Sequence, residues 1–321
     1  MPRIVRKTAI LLKIETTQGV DAAPTGAANA LNVAELSVTP LDAQNIPLDY
    51  VRTYFGNSVN LVGSASKKCS FKVFLAGSGA AATPPAWSPA FVACANAETT
   101  GLITPARVEW LPATDLLKTC TIYYHDDGVL HKLLGAFGMW MLSAKSGEAP
   151  YLKFDFIGQD GGDTAVANPT TVLTAWREPV PITKANVVDI KLGCTYAAGA
   201  LAGGTVYNTS GLTLESGNAV AFAPLLNAEA VVLTDRKVKG KVSFDLSAAQ
   251  EVANMASVKT NVVQSLGFEI GLVTGNRIML HLPAVQLTNP TKEEFNGSRL
   301  IAYDLQVNPV AGNDELRIIS L

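Results

Sequence analysis

Acid–base chemistry in this chain would fall first to its three histidines, His125, His131 and His281, because imidazole titrates near neutrality. His131 and His281 each end an apolar run, Val129-Leu130-His131 and Met279-Leu280-His281. No nucleophile-and-base pattern accompanies either, so a structural or interface role is expected. Asp126-Asp127 has the charge to bind a cation. It also precedes Gly128 between two apolar runs, and the hairpin-turn reading is favoured because Asp-Gly supplies the backbone conformation such a turn needs. Gly77-Ser78-Gly79 is not a phosphate loop: no GxxxxGK[ST] follows and the GxGxxG test fails. Neither HExxH nor GxSxG occurs. Cys69, Cys94, Cys120 and Cys194 are far apart with no CxxC pair, which argues against zinc and for small core hydrophobes in a reducing compartment. Arg236, Lys237, Lys239 and Lys241 cluster; on a strand over 238–246, Lys239 and Lys241 share one face and Phe244 takes the other. That strip reads as a solvated face, a salt-bridge row or a phosphate-facing row. Trp87, Trp110, Trp140 and Trp176 offer sugar-stacking rings, but their spacing defines no common strand face. Asn208-Thr209-Ser210 and Asn296-Gly297-Ser298 match the glycosylation tripeptide and are expected to be loop sequence. No residue is assigned as catalytic, cofactor-binding or metal-binding, and the expectation is a protein that is not an enzyme and needs no cofactor.

The elements that carry these residues are mostly strands. Phe71, Val73 and Leu75 share one face by the period-2 rule, as do Cys120, Ile122 and Tyr124. Leu36, Val38 and Leu41 lie around polar partners. Further strands are expected at 151–157, 212–215, 229–234, 241–246, 266–273, 277–287 and 299–307, punctuated by Gly and Pro. Two short helices stand out. One begins at Ser88 with Pro89 at the first helical position and Phe91, Val92 and Ala95 as its buried stripe. The other opens with a Ser247-Ala248-Ala249-Gln250 capping box and buries Val252, Met255 and Ala256. The fold class is mostly β.

Composition narrows the function classes. Lys plus Arg minus Asp plus Glu is 25 − 27 = −2, charged residues are 16%, and mean hydropathy is +0.22. An average soluble domain carries roughly 25% charge, so large permanent protein contacts are expected. This composition excludes disorder and argues against a generally basic nucleic-acid binder. No stretch approaches ~18 apolar residues, so no transmembrane helix is expected. Arg3, Arg6, Lys7 and Lys13 surround an apolar run, Ala9-Leu12, that is too short for a signal peptide, and an intracellular start is the simplest reading.

The order of motifs suggests an internal duplication. KCSFKV at 68–73 matches KVSFDL at 241–246, and a helix follows each. Val129-Leu130-His131 matches Met279-Leu280-His281. Residues 151–156 match 300–305, and Leu36-Ser37-Val38-Thr39 corresponds to Leu212-Thr213-Leu214-Glu215. The expected organisation is a first unit with an N-terminal arm at 1–160, a linker at 161–195, and a second unit with a C-terminal arm at 196–321.

Several segments, taken in order, resemble major tail tube proteins of long-tailed, non-contractile bacteriophages: KIETTQGVDAAPTGAANALNV (13–33), GSGAAATPPAWSPAFVACANAET (77–99), YYHDDGVLHKLLGAFG (123–138), VLTDRKVKGKVSFDL (232–246) and VNPVAGNDELRI (307–318). The resemblance spans nearly the whole chain. It implies a tandem tail-tube-type β-sandwich or partial barrel, each unit with a flanking short α-helix. It also implies a structural virion protein of the tail, assembled in the host bacterial cytoplasm, whose copies form stacked rings and a conduit for double-stranded DNA. Implied partners are the tape-measure protein in the lumen during assembly, tail terminator and distal tail proteins at the tube ends, and DNA passing without sequence preference; no membrane is involved. Single-unit members form six-subunit rings. The suspected duplication therefore predicts trimeric rings with pseudo-sixfold symmetry, with hexameric rings as the alternative. Stacking is expected from extended arms at 1–30, 40–65 and 308–321, and the lumen is expected to be neutral or negative. The competing function is a carbohydrate-binding or adhesin β-sandwich module of a virion.

Overall fold

Alternating side chains build this protein into one extended antiparallel network, seen in a computed structural model that describes residues 3–321. In chain order the first half comprises β1 (Thr8–Ile14), β2 (Ala34–Pro47), β3 (Asn60–Phe74), α1 (Ser88–Val92), β4 (Asn96–Ile103), β5 (Ala106–Pro112), β6 (Cys120–Asp126), β7 (Val129–Lys145) and β8 (Tyr151–Ala165). Then follow β9 (Val187–Ala197), β10 (Ala200–Glu215), β11 (Asn218–Leu225), β12 (Ala228–Arg236), β13 (Lys239–Asp245), α2 (Ala248–Lys259), β14 (Val263–Ile270), β15 (Ile278–Phe295), β16 (Ser298–Val307) and β17 (Arg317–Ser320). The fold is mostly β, with fifteen strands in one sheet and the β11–β12 hairpin apart. The strand-free connection between β8 and β9 is 166–186.

The same order of pairings runs twice. β2-β3-β8-β7-β6-β1 is followed by β10-β13-β16-β15-β14-β9, and β7 pairs with β10 to join the two runs. In the second run β9 also pairs with β10, which closes a six-stranded cycle. The first run stays open between β1 and β2; β1 is bridged instead at Leu11 by Ala30. Registers refine the sequence matches. Ser37 faces Ser70 and Gly211 faces Ser243, so Val38 rather than Leu36 occupies the place of Leu212. Ser70 faces Asp155 while Ser243 faces Ala302, two residues short of Asp304. The Ser-Phe match and the Asp155/Asp304 match are thus out of step by one two-residue slip. A slip of two keeps every side chain on its own face, which is why the apolar pattern hides it.

One core serves both runs. Phe71, Phe154, Phe156, Leu212, Phe244 and Tyr303 are all essentially inaccessible and belong to a single cluster. Around α1, Trp87 lies 4.9 Å from Trp110 and Phe91 lies 5.2 Å from Trp140, centroid to centroid. α1 begins one position earlier than expected: Trp87 is its N-cap and Ser88 its first residue. The Ser88 hydroxyl serves tertiary structure instead, donating to Glu98 and accepting 2.8 Å from Trp110 Nε1. α2 has the expected capping box. Its buried face differs from the expectation, however. Asn254 is buried and Met255 and Val258 pack on the core, while Val252 and Ala256 face solvent.

The expected free arms at both ends are strands of the core. β1 pairs with β6 from Thr8↔Asp126 to Ile14↔Cys120. Ile10 and Leu12 face the main core, and Leu11 faces a second cluster with Ala30, Tyr123 and Leu130. The C-terminal β17 pairs with β15 and β5; Ile318 enters the main core and Ile319 packs with Met279 and Leu321. Each is a short apolar run because both of its faces are buried. Only the 40–65 region projects.

Candidate assembly interface

Cross-strand pairs share a face, so the ladders show what each side of the continuous path β2-β3-β8-β7-β10-β13-β16-β15 presents. Lys72 faces Lys153 and Ser70 faces Asp155. Lys153 faces Met141, Met141 faces Glu215 and Glu215 faces Lys239. Lys241 faces Asp304, which faces Thr288. One side is therefore polar. The other carries Phe71, Phe154, Trp140, Leu142, Leu214, Val242 and Tyr303 into the core.

Five lysines of the polar side are partnered. Lys68 contacts Asp42 at 2.5 Å, Lys72 contacts Glu35 at 3.1 Å, and Lys153 lies 3.9 Å from Asp155. Lys239 contacts Glu215 at 3.2 Å and Lys241 contacts Glu293 at 2.6 Å. The Lys241 ammonium and then the Ser243 hydroxyl hold the Glu293 carboxyl below its ordinary value by hydrogen bonding. The basic cluster at 236–241 is thus a salt-bridge row. Lys237 meets Asp235, and Arg236 donates to Glu315 at 2.7 Å and to the Ala113 carbonyl.

Where the two runs meet, β10 residues Gly211–Glu215 pair with β7 residues Lys145–Met141. The counterpart edges elsewhere are bare among the described residues. β2, the strand in β10's place, pairs with β3 alone. β15, the strand in β7's place, pairs with β14 only as far as Gln286, so its end from Leu287 to Phe295 has β16 on one side and no strand on the other. Unpaired edge N–H and C=O groups are a template for another chain. Beyond β2's first residues, the β2–β3 hairpin arm exposes Tyr50, Val51, Tyr54 and Phe55. Sequence reading recognised an arm here from its Pro, Gly and Asn content but not its apolar tip.

The other residues singled out by sequence serve the fold. Asp127 and Gly128 both have positive φ (37° and 101°) in the turn pairing Asp126 with Val129, as a two-residue hairpin loop of this type requires. Asp126 accepts from Arg3, and Asp127 Oδ2 accepts the Ile4 N–H at 2.7 Å, so both carboxylates clasp the N-terminal segment. His131 Nδ1 lies 2.7 Å from Asp163, whose other contact is the buried Lys67 ammonium at 2.6 Å. The His281 ring lies 5.7 Å from that of Tyr196, and His125 is buried in the β6 ladder. His125 and His131 thus lie on the two strands of one hairpin, and His281 lies on β15. The four cysteines are buried free thiols, and burial pushes Cys69 up to about 12. Trp87, Trp110 and Trp140 are core residues, and Trp176 is partly buried with its Nε1 donating to the Ala30 carbonyl, so these rings form no sugar platform. Asn208 lies inside β10 rather than in a loop, while Asn296 is in the β15–β16 turn. Gly77 meets the second run: its N–H donates to Asn276 Oδ1 at 2.7 Å, and a Cβ there would fall 2.1 Å from the Gly275 carbonyl oxygen.

Two buried carboxylates went unread in the sequence. Glu15 accepts from Thr119 and Thr121 hydroxyls (2.6 and 2.7 Å) and from the Gly19 and Gly135 N–H groups (2.9 and 2.8 Å). Glu109 joins Arg107, Arg317 and the Tyr196 hydroxyl. Burial alone would raise the Glu109 carboxyl; hydrogen bonds from Tyr196 and Arg107 and the Arg317 charge outweigh it and hold the group below its ordinary value. These partners lie 87 or more residues away for Tyr196 and Arg317, so no local spacing could signal them.

No helix is long and apolar enough to cross a membrane among the described residues. No individually curated protein matches the chain. The family described as phage tail tube protein matches residues 6–308. With that match over nearly its whole length, the chain belongs to the phage tail tube protein family, a structural component of the virion tail.

Proposed function

We propose that the chain is two tail-tube units in tandem, and that copies join side by side as its own halves join: β2 of one copy pairs with the bare end of β15 in the next. The observation that carries this reading is the β7–β10 ladder together with the two bare counterpart edges. A ring formed by repeating one heterologous contact closes when the rotation returns to the start. With eight strands of the continuous path per chain, three chains would close a barrel of 8 × 3 = 24 strands with pseudo-sixfold symmetry. Stacked rings make a tube whose lumen is lined by the polar side. It holds the tape-measure protein during assembly in the host bacterium, meets terminator and distal tail proteins at its ends, and then passes double-stranded DNA.

The pairing of Lys68, Lys72, Lys153, Lys239 and Lys241 with carboxylates supports a near-neutral lining. The test is electron microscopy of the purified protein. The expected result is tubes of stacked rings with three chains each. Rings of six full chains would overturn the tandem-unit reading, and a monomeric protein with no rings or tubes would overturn the assembly reading.

A further inference from the structure

The β11–β12 hairpin lies between β10 and β13 in the chain, where the second run has its first and second strands. In the first run the same place, between the paired parts of β2 and β3, is occupied by the projecting arm. Its ladder breaks register between Thr39 and Asp42 and then resumes from Asp42↔Ser66 to Pro47↔Asn60. The two hairpins are thus topological counterparts. Their surroundings differ.

β11–β12 has a seat. Immediately after the β7–β10 joint, the Ser216 N–H donates to the Trp140 carbonyl at 2.9 Å, and the Ser216 hydroxyl accepts from the Trp140 N–H at 3.1 Å. Asn218 Nδ2 donates to the Cys94 and Gly138 carbonyls, each at 3.0 Å. Gln18 donates to Val231 O at 2.7 Å, and Gln159 to Glu229 O. The hairpin that leaves β10 therefore crosses the joint and rests on the other run, over β7, β8 and the end of α1. There Phe91, Ala93 and Cys94 are wholly inaccessible.

The arm has no such seat within the chain. The ladder partners of 42–47 all lie within the arm itself. Val51 and Phe55 are fully exposed, and Tyr50, Tyr54 and Val59 are about two-thirds exposed. The counterpart surface in the second run is uncovered too: Val252, Ala253 and Ala256 of α2 face solvent. An apolar arm and an uncovered apolar helix stripe in one chain are complementary needs. Burying exposed apolar area stabilises by ~25 cal/mol per Å².

Resting on the side-by-side joining proposed above, we propose that the β2–β3 arm of one copy lies across α2, β15 and β16 of its neighbour in the same ring, in the place β11–β12 takes on α1, β7 and β8 within the chain. The occupant of the bare α2 surface is a second copy of this protein. The arm then runs around the ring rather than along the tube axis, and each joint between copies has a ladder and a clasp, as the internal joint does.

The test uses assembled full-length protein carrying a photo-crosslinking benzophenone side chain in place of Phe55, and in a second preparation in place of Val51. Both positions are solvent-exposed, so neither replacement disturbs the folded chain. Chains of light and heavy nitrogen are mixed before assembly, tubes are verified by negative stain, and crosslinked peptides are mapped after irradiation. The expected result is mixed-isotope adducts joining the arm to 248–262 or 285–308, with crosslinked chains on denaturing gels ending at the number of chains in one ring. Adducts confined to other segments or to a single chain overturn the clasp and leave the tube reading intact. Linked chains extending in an unbroken ladder beyond the ring count show an axial arm and also overturn it. Parent protein that forms no tubes overturns the reading beneath it.

Discussion

Proline placed on the bare edge of β2 should weaken assembly while sparing the folded chain. Along an antiparallel strand, successive residues point their N–H groups alternately toward one neighbour and the other. Of Ser37 and Val38, which face Ser70 and Cys69, one directs its N–H toward β3 and the other toward the open edge. The internal joint spans the five pairs from Gly211↔Lys145 to Glu215↔Met141. At ~0.5–1.5 kcal/mol net per hydrogen bond, about five bonds contribute roughly 3–7 kcal/mol per joint before side-chain packing. An outward proline removes one donor and strands its acceptor, at about 1–3 kcal/mol. That corresponds to roughly 5–150-fold in each association step, since ~1.4 kcal/mol is tenfold, and every joint in a ring bears it. The assay compares S37P and V38P by thermal melting of the unassembled chain and by sedimentation with negative stain. One variant, the inward one, should melt lower. The other should melt as the parent does and require at least several-fold more protein to form tubes. If that second variant assembles at the parent concentration, β2 is not the joining edge.

Two further outcomes follow from buried polar groups. Glu15→Ala strands the N–H groups of Gly19 and Gly135 and two threonine hydroxyls, and should lower unfolding free energy by about 3–5 kcal/mol in urea; a loss below ~1 kcal/mol would refute the role given to this network. Burial lowers the pKa of His125, and burial followed by the Arg317 charge lowers that of His281. The folded chain therefore refuses protons that the unfolded chain accepts below the ordinary value of 6.5, so their contribution is present above that pH and lost as pH falls toward the depressed folded values. Melting temperature should fall as pH is lowered from 7.5 to 5.5, and the His125→Asn, His281→Asn double variant should show a flatter profile; an equally steep one would refute this assignment.

Much of the fold was legible because its causes are local. Asp127-Gly128 had to turn, Ser247 and Gln250 had to cap α2, and period-2 alternation in β3 marked its core face. The failures have physical reasons too. Ile10-Leu11-Leu12 does not alternate, since Leu11 faces a second small cluster while its neighbours face the main core. A run buried on both sides looks, in sequence, like a loose apolar tail. Val252 and Ala256 satisfied helical spacing yet face solvent, because spacing defines a stripe without saying which body covers it. Lys67 is a fully buried ammonium neutralised by Asp160 and Asp163, both at 2.6 Å, and nothing near position 67 announces carboxylates more than ninety residues away. The bare edges were invisible for the same reason: a strand's free side is a property of the ladder around it.

The internal joint also constrains how a neutral wall can arise from a chain with so many lysines on one side. Duplex DNA presents one negative charge per ~1.7 Å of its axis, and a row of free ammonium groups along its path would hold it. Here five lysines of the polar side already have a carboxylate in reach, as in Lys239–Glu215 within one ladder rung and Lys241–Glu293 across β16. Asp304 adds an acid on that face. A passing phosphate would have to compete with a carboxylate already in place, gaining little over what it displaces, and exposed pairs of this kind are worth only ~0–1 kcal/mol. Under the proposed assembly, the same cross-strand pairing that keeps lysines compatible with a continuous sheet also keeps the conduit from binding what it conducts. An assembled tube with a continuous positive lining would contradict that argument.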